Sequence, residues 1–194
     1  MPYQYTNRRG EVYYVHTKQR GGRVGYTASR KPAGKSIDRL PEGYEIYERP
    51  ENAQVFVRKI KATRILPIER ELIEASIREQ AELEYFIVEV EADSLVVYLT
   101  DTDPDAAMDL IGLIAPMTPD TAREMKQYAI GRARYEKMMR FVLTEEPNRK
   151  FAAERWCFLG GIDDWYFLDG DQPLSVLADK YVRHLGRESF FDLM

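Results

Sequence analysis

Along the first sixty residues, apolar and polar side chains change places at nearly every step. "EVYYVHTK" and "RVGYTAS" alternate in this way on either side of "QRGG". A period of two is that of a half-buried strand, and a Gly-Gly pair signals a tight hairpin turn. With Gly21 and Gly22 at the turn, Arg20 faces Arg23, Lys18 faces Gly25 and His16 faces Thr27, on one side with Tyr14. Val15, Val24, Tyr26 and Ala28 fall on the other side, the natural core side. "GYEIYER" and "QVFVRKI" around "PENA" predict a second hairpin. Between the hairpins, "RKPAGKSIDRLPEG" carries two prolines and two glycines and reads as loop.

From Pro67 the period lengthens. "PIERELIEASIREQAEL" places Ile68, Leu72, Ile73, Ser76 and Ile77 on one helical face. "YFIVEVEADSLVVYL" predicts a hairpin turning near Ala92 and Asp93. Its apolar face, with Phe86, Val88 and Val90 beside Leu95, Val97 and Leu99, must be covered by helices. "DTDPDAAMDLIGLI" starts a short helix capped by Asp103. "TPDTAREMKQYAIGRARYEKMMRFVL" reads as one long helix with Tyr135, Met138, Met139 and Val142 along a side. "ERWCFLGGIDDWYFL" predicts a further hairpin, with Trp156 opposite Phe167 and Phe158 opposite Trp165. "PLSVLADKYVRHLG" ends as a helix with Leu174, Leu177, Tyr181 and Leu185 inward and Gly186 as its stop.

These elements predict an α+β protein. A small antiparallel β module over residues 1–64 precedes a larger body of helices packed on β-hairpins over 65–194. The order helix, hairpin, helix, helix, hairpin, helix admits two similar halves sharing one sheet.

Composition narrows the class: 44% hydrophobic and 31% charged residues describe a globular chain. No apolar run approaches the roughly 18–20 residues of a membrane helix, so no membrane partner is expected. The opening "MPYQYTNRRG" lacks the apolar core of a secretory signal. The single cysteine, Cys157, cannot form an internal disulfide, and a reducing, cytoplasmic setting is expected. Between Trp156 and Phe158 it reads as a small buried hydrophobe.

Charge changes the picture more. The net charge of −4 divides unevenly: residues 1–36 carry eight Lys and Arg against one acid, Glu11, whereas residues 67–194 carry fourteen against twenty-six. A basic head on an acidic body suits an anionic partner, or a head docked on its own body. The basic residues are Arg8, Arg9, Lys18, Arg20, Arg23, Arg30, Lys31 and Lys35. With Tyr14 they offer charge for phosphates and a ring for stacking, as a nucleic-acid surface requires. Solubility of an exposed hairpin tip is the plainer explanation.

Two motifs are set aside. "GYTASRKPAGKS" ends like a nucleotide-binding P-loop, but Ser29 stands where its first glycine belongs, and Pro41 and Gly43 break the helix that should follow. Asp101, Asp103 and Asp105 are spaced like a calcium loop, but Ala106 replaces its glycine and Gly112 its glutamate, so helix capping explains them. No cofactor or metal is predicted. Asp163 and Asp164 in "LGGIDDWYFLDGD" form an alternative acidic site, for a hydrolase or a metal-dependent enzyme.

"LPEGYEIYERPENAQVFVRK", "RWCFLGGIDDWYFLDG" and "HLGRESFFDLM" resemble phrases that recur, in the same order, in a set of uncharacterised bacterial proteins. That resemblance implies a bacterial intracellular origin and transfers no catalytic residue. The expected function is non-enzymatic binding of a polyanion such as nucleic acid by the basic hairpin. The alternatives are the acidic-site enzyme and a structural or oligomeric module that binds a protein partner.

Overall fold

The computed structural model describes residues 2–114, 117–157 and 163–193, except the side chains of Arg20 and Arg23. The chain is α+β and divides into two units, Met1–Ile60 with Asp101–Arg134, and Lys61–Thr100 with Tyr135–Met194.

In the first unit, β1 (Gln4–Thr6), β2 (Val12–Arg20) and β3 (Arg23–Ser29) form an antiparallel sheet in the order β1-β2-β3. The β2–β3 register is the expected one: Arg20 opposite Arg23, Lys18 opposite Gly25, His16 opposite Thr27. Gly21 and Gly22 take φ of +57° and +76°, the left-handed pair that matches the twist of the flanking strands. β4 (Tyr44–Glu48) and β5 (Val55–Lys59) make the second hairpin. It meets the first through the edge-on rings of Tyr26 and Tyr44, 4.8 Å apart. Val15 and Val55 are buried as a core side demands, but Val24, near the tip, is exposed.

Two helices belong to this unit, α2 (Pro104–Ile114) and α3 (Pro119–Arg132). Asp103 caps α2 by accepting the Asp105 N–H at 2.9 Å, and Thr118 caps α3. This unit is discontinuous in sequence, residues 101–134 joining residues 1–60. The segment returns where it left: Asp101 N–H donates to the Arg134 carbonyl at 2.9 Å. α3 also lies so near the first turn of the chain that a Cβ on Gly131 would collide with the Arg8 carbonyl.

The second unit holds α1 (Pro67–Ser76), a wider π-type turn over Ile77–Ala81, β6 (Phe86–Val90), β7 (Ser94–Thr100), β8 (Tyr135–Glu145), β9 (Lys150–Cys157), β10 (Asp164–Pro173) and α4 (Leu174–Tyr181). The five strands form one antiparallel meander, β10-β9-β8-β7-β6. Val88, Leu95, Val97, Met139, Phe141 and Phe151 pack with Ile73 and Ile77, and with Leu177, Tyr181 and Leu185 from the C-terminal helical segment. Roughly 1.5–3 kcal/mol per fully buried side chain of this kind favours the folded state.

Three expectations are corrected here. The long helix stops at Arg132, and Tyr135–Glu145 is a strand. "YEKMMRFVL" satisfies a helical and a strand period at once, but only a strand buries Met139, Phe141 and Leu143 together beside Leu95 and Phe151. The last hairpin is registered with Trp156 opposite Trp165, rings 5.0 Å apart, not opposite Phe167. Phe158 lies outside the described residues. On α1, Ile68 is 63% exposed, and Glu69 is buried in its place. Arg149 explains the exchange: Nε and Nη2 donate to the two Glu69 oxygens at 2.8 and 2.6 Å, and Glu69 also accepts the Leu66 N–H at 2.7 Å.

Candidate functional site

The β2–β3 sheet has two faces, and the basic residues of the head divide between them. After β3 the chain leaves one edge of the sheet and crosses to the other. There Ile37 N–H donates to Val15 O at 3.1 Å, and Thr17 N–H to Lys35 O at 2.9 Å. Residues 35–37 thus continue β1 along the free edge of β2, with Ser36 bridging His16. The crossing passes over the His16 ring: Nε2 donates to the Lys31 carbonyl at 3.0 Å, and Gly34 lies against the ring. His16 is buried by it, at 8% exposure, rather than displayed on an open basic face. The crossing thus carries Lys31 over the face that also bears Lys18, one strand period beyond His16, whereas Lys35, next to the bridged Ser36, alternates to the opposite face at the sheet edge. All three lysines are exposed, and none makes an ion pair among the described residues. Tyr14 is half-buried on the face of Lys18. Arg20 and Arg23 pair across the tip; their side chains, on which the expected ridge partly rests, lie outside the described residues.

The same bonds explain why "GKS" here is no phosphate loop. Ser36 N–H is spent on Gly34 O and Ile37 N–H on Val15 O, and the next regular element is β4, not a helix.

Arg8 departs from the basic surface altogether. Its Nη1 donates to Glu48 Oε1 at 2.9 Å, and its other donors reach the Arg49 and Pro50 carbonyls. Glu48 accepts in addition the Arg8 N–H and the Tyr5 hydroxyl, the latter at 3.0 Å. Burial, with Glu48 beside it, pushes the Tyr5 phenol up to about 12. Arg8 is a tie between the first turn and β4.

Arg9 and Arg30 instead line a cleft of about 380 Å³ on the face opposite Lys18. Tyr13, Ala28, Val55, Asn52 and Gln54 also line it. Asn7 builds it. Its Oδ1 accepts the Arg9 and Glu11 N–H groups, and its Nδ2 donates to Glu11 Oε2 at 3.0 Å and Ala53 O at 2.8 Å. Glu11 Oε1 holds Arg30 Nη1 at 2.8 Å. The Asn7 amide, with Arg30 and Arg9 nearby, keeps the Glu11 carboxyl below the usual range; burial, with Glu11 near, raises the Tyr13 phenol. The sequence offers little signal for Asn7, Asn52 and Gln54, because their roles arise from a turn and from a partner hairpin.

The acidic alternative stands apart. Asp163 and Asp164 are exposed, Asp164 accepts the Trp165 N–H at 2.7 Å, and neither lines the cleft just described. The glycines of that loop lie outside the described residues. His184 bonds Ser189 at 2.9 Å and Cys157 is buried. Among the described residues, no group of three or more His, Cys, Asp or Glu side chains is placed to hold a metal, and no helix is long and apolar enough to cross a membrane. No family model, curated protein or solved structure matches the chain.

Proposed function

We propose that this chain is a non-enzymatic, cytoplasmic binding protein of bacterial origin, and that the exposed lysines of the β2–β3 hairpin and its crossing loop engage the phosphates of a nucleic acid. One observation carries the reading: the crossing loop brings Lys31 over the face of Lys18 and Lys35 to the edge of the same hairpin, and none of the three is neutralised by a carboxylate among the described residues. Lysines kept exposed and unpaired this way are suited to displacing counterions from a polyanion. Arg20 and Arg23 pair at the hairpin tip, and Tyr14 lies on the face that bears Lys18. Arg8 is excluded because Glu48 holds it.

Binding of a labelled single-stranded oligonucleotide, followed against salt, tests this. The logarithmic salt slope should fall by about 2 when Lys18, Lys31 and Lys35 are all replaced by serine, since each phosphate left without its lysine lowers it by about 0.7. An unchanged slope would sink the proposal.

A second reading, a protein-interaction module, is favoured by α2. Leu110, Leu113 and Ile114 share one helical face and are 61%, 85% and 78% exposed. Sedimentation of the wild type and of Leu113→Glu over a range of concentrations tests it: self-association lost in the variant supports it, and a concentration-independent monomer removes self-association through this face.

A further inference from the structure

We propose that the cleft bordered by Arg9 and Arg30 binds a small oxyanion, the phosphate or carboxylate end of a small molecule. This site lies on the face of the β2–β3 sheet opposite Lys18 and does not depend on nucleic-acid binding.

The first reason is an unmet donor. Arg9 Nε is buried and has no hydrogen-bond partner. A buried, charged N–H left unsatisfied is costly, and such groups mark places where an acceptor is missing. The Asn7 turn holds this arginine in position, since Asn7 Oδ1 accepts the Arg9 N–H at 3.1 Å.

The second reason is the state of the other groups. Arg30 gives one hydrogen bond, to Glu11, and its side chain is 66% exposed, so most of its five donors remain for a ligand. Glu11 takes only one of them, with one oxygen on Arg30 and the other on Asn7. Two guanidinium groups against one occupied carboxylate leave a single positive charge, which fits a monoanion.

Neutral donors complete the shell. Asn52 Oδ1 is spent on the Gln54 N–H at 3.0 Å, which leaves its Nδ2 for a ligand. The Gln54 side-chain amide has no hydrogen bond among the described residues. A volume of about 380 Å³ takes an oxyanion with a short organic group, and Val55 and Ala28 give that group an apolar wall.

Arginine Nε–Hε and side-chain amide NMR signals of the full chain test this, with inorganic phosphate and acetate titrated separately at constant ionic strength. A saturable shift of Arg9 Nε–Hε and the Gln54 amide is expected with at least one anion, and which anion acts identifies the oxyanion class. Arg30→Gln should weaken that binding roughly tenfold or more, as loss of a charge-assisted pair does. Gln54→Leu, at an exposed position, should weaken it without disturbing the remaining spectrum. The triple lysine variant should bind the anion as the wild type does. Absence of a saturable Arg9 shift with both anions overturns the proposal, and so does wild-type affinity in both Arg30→Gln and Gln54→Leu.

Discussion

The His16 imidazole lies beneath Gly34: a Cβ at residue 34 would sit 3.0 Å from His16 Nδ1. Gly34 also has φ of +142°, a conformation that residues with side chains rarely adopt. The close approach and the backbone angle together tie the crossing loop to the hairpin and fix where Lys31 and Lys35 stand.

Gly34→Ala should therefore loosen the loop by about 1–3 kcal/mol, the usual cost of a strained backbone position. Hydrogen exchange reads this locally. The Thr17 and Ile37 amides, bonded to Lys35 O and Val15 O, should exchange faster in the variant while the β6–β7 amides keep their rates. Unchanged exchange at both would show that the loop is held by something other than this contact.

How much is legible in the sequence differs from element to element. The β2–β3 register follows from Gly21-Gly22 and the alternation alone, because a two-residue turn leaves one pairing. The crossing loop is not legible. Its hydrogen bonds join residues about twenty positions apart, and no local pattern in "RKPAGKSIDR" encodes them. Alternation alone consequently leaves His16 on an open face. β8 reads as helix because its apolar residues fit two periods, and only the neighbouring strands decide between them. The basic residues are visible as a cluster, but not their division among a tie (Arg8), a cleft (Arg9, Arg30) and exposed lysines on the hairpin and crossing loop (Lys18, Lys31, Lys35).

Glu69 and Arg149 form a largely buried, bidentate pair, with Arg149 held at φ of +50° in the β8–β9 turn. Glu69→Ala should cost about 3–5 kcal/mol, because it strands the guanidinium and removes the acceptor for the Leu66 N–H. Urea denaturation measures the loss. A change under about 1 kcal/mol would mean that the pair behaves like an exposed one.

Asp169 gives a pH dependence with a definite sign. The Lys180 hydrogen bond at 2.7 Å, with help from the Gly170 N–H and the Tyr181 hydroxyl, holds its carboxyl below the usual range. The unfolded chain binds that proton more readily. The contribution is therefore complete above the unfolded value of about 4 and lost as pH falls through the folded one. Lys180 is raised by the same bond, so its share is present below about 10.5 and lost at higher pH. Wild type should exceed Asp169→Asn in urea midpoint at neutral pH, with the gap closing in acid. A gap that stays constant into acid would assign it to something other than this carboxylate.

Protection of lysines from reductive methylation, with and without a bound oligonucleotide, locates the nucleic-acid surface on the molecule itself. Lys18, Lys31 and Lys35 should become protected together, while Lys61 and Lys180 react as before. Protection of Lys61 or Lys180, with Lys18, Lys31 and Lys35 still reactive, would place the bound strand elsewhere and overturn the proposed function.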